Sequence, residues 1–378
     1  MITRLICAEC PNGCNLSLEW KDAVSVVVSD NQCSRGIGYA ARILCREKDV
    51  HIEAKEKTAH FSQEAIAEIL KSWNIPLSRV RYDIPIQGSP ERSLFRVVIE
   101  NADKELFVLE QIAIKNLDAR RRIAKTLDLL SQKKISQLNP YLKNISQEHL
   151  TQHRATFWQV APFVQGVALE REKYMLDSWR GKALAEFLID LRQAGEIPFF
   201  NTKKVFSLKS YIHKLVRNIA TYKGDVLSDV KDIVDLLEKD FLTQDERLPI
   251  VFCHGDYHPM NMIWGNDRIA CVIDWEFSGY KNEIYDMANL IGCVGVENPQ
   301  GLSAGLVMSF VRRMQEVRII SAAGWHYLVD CVLALRFAWL SEWLRRSDKE
   351  MTDLELDYMH LLIENREDLK KYWDVKGA

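Results

Sequence analysis

The sequence of 378 residues has no excess of basic groups: 50 Lys and Arg stand against 52 Asp and Glu, a formal net charge of -2. Nucleic-acid binders carry a basic surplus, and polybasic membrane segments carry one locally, so neither kind of partner is indicated. No uninterrupted apolar run is long enough to span a bilayer. The oiliest stretch, residues 319–340, contains His326, Asp330 and Arg336 and reads as a buried core helix. The first fourteen residues are broken by Arg4, Glu9 and cysteines, which excludes a secretory h-region. Internal repeats and low-complexity tracts are absent. What remains is an ordinary globular composition, 47% apolar and 27% charged, with the cytoplasm as the expected compartment. There, nine cysteines read as thiols or metal ligands rather than disulfides.

Four of those cysteines crowd into the first 33 residues and the others are scattered. Residues 46–57 are mixed in charge and lack apolar periodicity, as a linker does. A helix is expected over 61–73, with Ile66, Ile69, Leu70 and Trp73 on one stripe. Strand-like segments follow at 79–86, 93–100 and 105–114, then a basic helix over 118–134 and a strand over 157–164. From Gln165 the pattern turns helical, with Leu184, Phe187, Leu188 and Leu191 at i, i+3, i+4 and i+7. The exception is 250–273, where two β-rich runs flank a polar loop and a Gly265-Asn266 turn. The expected fold class is α+β, divided as 1–45 (a four-cysteine metal-binding module), 46–60 (linker), 61–164 (a sheet lobe) and 165–378 (a helical lobe).

The densest polar cluster is His254-Gly255-Asp256-Tyr257-His258-Pro259-Met260-Asn261, followed after a hairpin by Ile273-Asp274-Trp275-Glu276. Apolar residues precede both pieces, so short buried strands would deliver the polar groups to one edge. An Asp, an Asn five positions on and a second Asp beyond a hairpin suit phosphoryl transfer. One carboxylate orients the attacking hydroxyl, while the amide oxygen and the other carboxylate offer Mg²⁺ hard ligands. His254 and His258 read as loop architecture, Asp286 as a helix cap and staple, and Glu276 as either a contact or a local hydrogen bond.

These two segments resemble the signature of the aminoglycoside phosphotransferase and choline-kinase-like superfamily, and the likeness in layout covers roughly 61–378. It implies a two-lobed, protein-kinase-like fold with a small β-sheet lobe, a mostly helical lobe and ATP as nucleotide. The implied activity is transfer of the γ-phosphoryl group to a hydroxyl of a sugar, amino sugar, amino alcohol or similar metabolite. By resemblance Asp256 is the base, and Asn261 and Asp274 are the magnesium ligands. Gly88 and Ser89 sit where a phosphate-covering turn belongs, and Pro162 and Val164 where the adenine is received. One departure stands out: the third strand offers Glu110 where a Lys or Arg is usual. A charge swap would let Lys115 or one of Arg120, Arg121 and Arg122, with Arg121 taken as the representative, reach the phosphates. The same departure suits an alternative, a nucleotide-binding regulatory pseudokinase or scaffold.

Cys7, Cys10, Cys14 and Cys33 can close a tetrahedral zinc site or hold a [4Fe–4S] cluster. So short a segment would draw its folding energy from the metal, forming a small knuckle. The string resembles a CPxGC-type module and the iron–sulfur-binding start of molybdopterin oxidoreductases. With one true C-x2-C pair, it favours the cluster over zinc and leaves both open. The module is also where a protein partner, or a redox or metal signal, would act. Cys253 and the other remaining cysteines read as small buried hydrophobes.

Overall fold

The computed structural model describes residues 2–6, 15–20, 25–29, 39–40, 43–44, 51–54, 61–84, 86, 93–195, 197 and 205–373. Contacts divide the chain into two units, 1–117 with 142–161 and 118–141 with 162–378.

The first unit begins with a four-stranded sheet in the order β1 (Ile2–Ile6), β2 (Asn15–Trp20), β3 (Ser25–Ser29), β4 (His51–Ala54). Leu16 and Leu18 on β2 and Val26 and Val28 on β3 alternate inward, and with Ala40 they make a small core, the period-two burial of a one-sided sheet. The described part of this region is therefore a sheet with apolar packing of its own. Within the stretch expected as a linker, 46–60, residues 51–54 are instead a strand, because β4 pairs in parallel with β3, Val26 opposite Ile52. A strand of four residues is too short to show a period, but it satisfies the outer backbone groups of β3. Cys7, Cys10, Cys14, Cys33 and Cys45 lie outside the described residues.

A second sheet in this unit has the order β5 (Leu77–Val80), β6 (Ser93–Asn101), β7 (Leu106–Ile112), β9 (Thr156–Pro162), β8 (Thr151–His153). Helix α1 (Gln63–Leu70) packs on it. Ser62 caps that helix by accepting from Ala65 N at 3.2 Å, and Ile66, Ile69 and Leu70 are buried with Trp73 in the following 3₁₀ turn. Strand β5 stops well short of residue 86. Arg81 forks onto Asp83, Nε to Oδ1 at 2.8 Å and Nη2 to Oδ2 at 2.7 Å, and Ile84 precedes a proline, so the chain turns. Helix α2 (Leu117–Gln132) groups with the second unit; its apolar face, Ile123, Leu127 and Leu130, joins that unit's core. The boundary after the last strand falls between Ala161 and Pro162.

The second unit is mostly helical: α3 (Ser178–Gln193), α4 (Leu208–Tyr222), α5 (Gly224–Glu238), α6 (Phe241–Gln244), α7 (Tyr285–Glu297), α8 (Gly305–Val317), α9 (Ala322–Arg346), α10 (Lys349–Glu364) and α11 (Arg366–Tyr372). Two short ladders interrupt them, β10 (Ile250–Cys253) with β13 (Gly279–Asn282) and β11 (Met262–Trp264) with β12 (Ile269–Val272). The core of α7 is buried all round, from Tyr285 to Gly295. The charges in the oily stretch are paired: Asp330 takes a fork from Arg366 at 2.6 and 2.8 Å, and Arg336 forks onto Glu355 at 2.5 and 2.8 Å. Among the described residues no helix is long and apolar enough to cross a membrane.

Candidate active site

Strand β10 is apolar, and β13 pairs with it, Phe252 opposite Tyr280. The chain leaves β10 at His254, runs through the polar loop and a 3₁₀ turn at Pro259–Asn261, and enters the β11–β12 hairpin. It emerges at Ile273. Asp274 then adopts a left-handed conformation, φ 67° and ψ 57°, ahead of a second 3₁₀ turn, Trp275–Phe277. Asp is among the few residues that enter this region readily.

Both peptide groups of Ile273 are committed to the loop. Its N–H donates to the Asn261 carbonyl at 2.9 Å, and its carbonyl accepts from His254 Nε2 at 2.9 Å. Asn261 Nδ2 in turn donates to the Asp256 carbonyl at 2.8 Å and to Asp256 Oδ2 at 3.0 Å. The backbone of Asp274 is thus one residue from a clamp that includes Asn261, which itself holds Asp256. The three sequence-predicted catalytic residues are brought into one hydrogen-bonded segment.

The loop is anchored from below. Asp286 accepts from His254 N at 2.7 Å and Gly255 N at 2.8 Å. It is not the helix cap expected from its position, because Ile284 occupies that place and Asp286 lies inside α7. Burial pushes the Asp286 carboxyl up, against His254, Lys281 and the two N–H donors. Asn289, one turn further along α7, donates to the Tyr257 carbonyl at 3.2 Å. Gly255 has φ 87°, and a Cβ there would collide with the Phe277 carbonyl, so only glycine fits.

Hydrogen bonds to the loop backbone fix the orientation of both histidine rings. His254 donates from Nε2, while its Nδ1 accepts from Asp256 N at 3.3 Å; burial lowers its pKa. His258 accepts at Nδ1 from Met260 N at 3.3 Å, which leaves Nε2 facing Asp256 Oδ1 at 3.6 Å. So His258 does more than shape the loop. Burial alone would raise the Asp256 carboxyl, but His258, His254 and Asn261 hold it below its ordinary 3.8. It is a carboxylate at neutral pH, able to orient a hydroxyl and take its proton late.

Of the other predicted contacts, Gly88 and Ser89 lie outside the described residues. Lys115 is exposed in a 3₁₀ turn, Ile114–Asn116. Arg121 is exposed on α2 and pairs with Asp118 at 3.2 Å, while Arg120 reaches the Tyr141 hydroxyl at 3.3 Å. Pro162 ends β9, its carbonyl accepting from Asn139 Nδ2 at 2.8 Å, and Val164 is half-buried beyond it. Glu110 is buried and held within its own sheet: Gln159 Nε2 donates at 2.5 Å, Ser93 Oγ also donates, and Arg96, its register partner, stands 3.5 Å away. A cation beside Glu110 thus comes from the neighbouring strand. Among the described residues no group of three or more His, Cys, Asp or Glu is placed to hold a metal ion.

Asp286 and Lys281 are site residues that sequence reading undervalued or missed. Asp286 meets its partners 31 and 32 positions away, and only the loop and helix together reveal it. Lys281 sits in a short polar strand with no pattern to mark it.

Comparison with known proteins places this geometry. Solved structures share the fold at low identity. One is the GDP complex of aminoglycoside 2'-phosphotransferase-IIIa, with a TM-score of 0.57 and 17% identity over 80% of this chain and 98% of that one. Another is an aminoglycoside phosphotransferase from Alicyclobacillus acidocaldarius, at 0.56 and 13% over 81% and 94%. Among curated proteins, ethanolamine kinase 2 of Mus musculus is 33% identical over 86 residues, 20% of this chain and 22% of that protein. Protein LicA of Haemophilus influenzae is 31% identical over 101 residues, 25% and 27%. The chain thus aligns with only about a quarter of the length of these curated relatives. The profile of the phosphotransferase enzyme family matches residues 88–316, well over half the chain and all of the loop, hairpin and α7, and to that family the chain belongs.

Proposed function

We propose that the chain is an ATP- and magnesium-dependent kinase acting on a hydroxyl of a small metabolite such as a sugar, amino sugar or amino alcohol. The observation that carries this reading is the double clamp on Ile273, which builds Asp256, Asn261 and the approach to Asp274 as one piece. Asp256 orients the acceptor hydroxyl and accepts its proton. Asn261, with its amide nitrogen committed to Asp256, presents its oxygen as a hard donor, and Asp274 supplies a second. That donor set fits magnesium; when bound, the ion neutralises charge on the nucleotide phosphates. Asp286, Asn289 and His254 hold the loop backbone. Structural relatives include a phosphotransferase solved with GDP and an amicoumacin kinase solved with AMP-PNP, which supports a nucleotide for this chain too, received by Pro162 and Val164.

In the same reading Cys7, Cys10, Cys14 and Cys33 hold a [4Fe–4S] cluster or zinc. The strand register supports it: Ile6 lies opposite Asn15 and Ser17 opposite Ser29. Ile6, Asn15 and Ser29 therefore lie at the same end of the sheet. Protein purified without oxygen would carry either iron with sulfide or stoichiometric zinc; neither metal would sink the assignment.

The kinase reading is tested by ADP release from ATP against a panel of hydroxylated metabolites. Asp256→Asn should lose acceptor-dependent turnover by roughly 10²–10⁴-fold while still binding nucleotide. Nucleotide binding with no acceptor-dependent release in the wild type would favour the regulatory alternative, to which Glu110 on the third strand already points.

A further inference from the structure

Lys281 is a buried cation for which the loop chemistry above has no use. The residue is 6% exposed, and its Nζ donates one hydrogen bond, to the Phe277 carbonyl at 2.6 Å. An ammonium has three donors. Among the described residues no other acceptor and no carboxylate within 4.0 Å is found for it. It stands 5.1 Å from the centre of the Tyr285 ring and 6.0 Å from that of Phe206, which is partly open to solvent. Nζ also lies 2.9 Å from where a Cβ on Gly255 would be, directly beside the backbone that carries Asp256.

The local charges deepen the asymmetry. Burial lowers the Lys281 pKa; Cys253 and Asp286 pull it up, and Arg122 pushes it down. Asp286 has both oxygens on backbone N–H groups, so it offers a field but no direct contact. Arg122 is exposed on α2 and has no ion pair among the described residues. Two cations within electrostatic range of each other, with no carboxylate in contact with either, repel one another, and an anion beside Lys281 would offset that repulsion.

We propose that Lys281, with Arg122 in support, is an oxyanion-binding position beside the transfer loop. It is filled by a carboxylate or phosphate of the acceptor or by a phosphate of the nucleotide. The proposal rests on the kinase reading only for the meaning of those ligands. Where the anion belongs to the acceptor, the site narrows the range of metabolites proposed above toward hydroxy acids and phosphorylated alcohols and away from amines.

The test compares wild type, Lys281→Met, Lys281→Arg and Arg122→Met. Steady-state KM is measured for ATP and for three matched acceptors (glycerate, glycerol and ethanolamine), and the binding of ADP, glycerate and inorganic phosphate is measured by calorimetry. Losing one charge-assisted hydrogen bond should weaken the anion concerned roughly 10- to 100-fold, with Lys281→Arg retaining part of the affinity and Arg122→Met losing less. A rise confined to glycerate assigns the anion to the acceptor, and one confined to ATP and ADP assigns it to the nucleotide. Unchanged KM and Kd values for every anion, even with a lower Tm, would overturn the proposal and leave Lys281 a structural residue. Should Lys281→Met fail to fold, the exposed Arg122→Met variant and Lys281→Arg decide by the same readouts. Weakened phosphate or ADP binding without turnover of any acceptor would uphold the anion site while refuting the kinase.

Discussion

Replacing Asp286 by Asn isolates how far the loop depends on one carboxylate. The substitution keeps size and one acceptor oxygen, but it presents an NH₂ to one of the two backbone N–H groups now bonded at 2.7 and 2.8 Å. Hydrogen bonds to a charged acceptor contribute about 1.5–3 kcal/mol each, and a buried donor left unpaired costs a similar amount. Removing a buried charge returns part of this, since burial already pushes the Asp286 carboxyl up. The net expectation is a loss of about 1.5–3 kcal/mol, which in a unit of this size lowers Tm by roughly 3–12 °C. The damage should not stop at stability. His254 and Gly255 are the residues released, and Asp256 follows them, so kcat should fall by about tenfold or more as the base loses its position. Thermal unfolding followed by circular dichroism, with initial rates measured well below the transition, separates the two effects. A variant that melts with the wild type and retains its kcat would refute the anchoring argument outright.

Two further outcomes follow from the same loop. Gly255→Ala sets a side chain against the Phe277 carbonyl at φ 87°; the left-handed backbone alone costs about 1–2 kcal/mol, and the collision forces the segment after Asp274 away, so kcat should fall more than nucleotide affinity. His258→Gln removes the ring that helps hold the Asp256 carboxyl below 3.8. A depressed carboxyl stays ionised down to its folded pKa, so the acid limb of kcat/KM should be found below the ordinary carboxylate range in the wild type and at higher pH in the variant. An unmoved limb would mean that His258 does not set the charge of Asp256.

The loop and hairpin were legible because their chemistry is local. His254 through Glu276 reads in one pass, with β10 and the hairpin strands announcing themselves as short apolar runs. Helix α1 was equally plain from the stripe of Ile66, Ile69, Leu70 and Trp73. What the sequence hid is non-local or patternless. Strand β13 reads Gly-Tyr-Lys-Asn and all four residues are buried, against every expectation from composition, because β10, Phe206, Asp245 and the Tyr285 ring cover it. Strand β4 is too short to show a period. The surroundings of Glu110 required the register that sets Arg96 opposite it, which no local pattern announces. The division into units differs for a related reason: the apolar stripe of α2 shows that it packs but not against what.

The buried thiols have a practical consequence. Cys253, Cys271, Cys293 and Cys331 are free and enclosed, and burial pushes Cys271 and Cys293 up to about 12; at neutral pH they are neither thiolates nor within reach of a reagent. Of nine cysteines, a chromogenic thiol titration of the folded protein therefore counts at most the five outside that group. Ligation of four of these would reduce the count to one, and a chelator that strips the metal under reducing conditions would restore it. The helical unit supplies a silent background against which the state of the amino-terminal cysteines can be followed without labels or mutations.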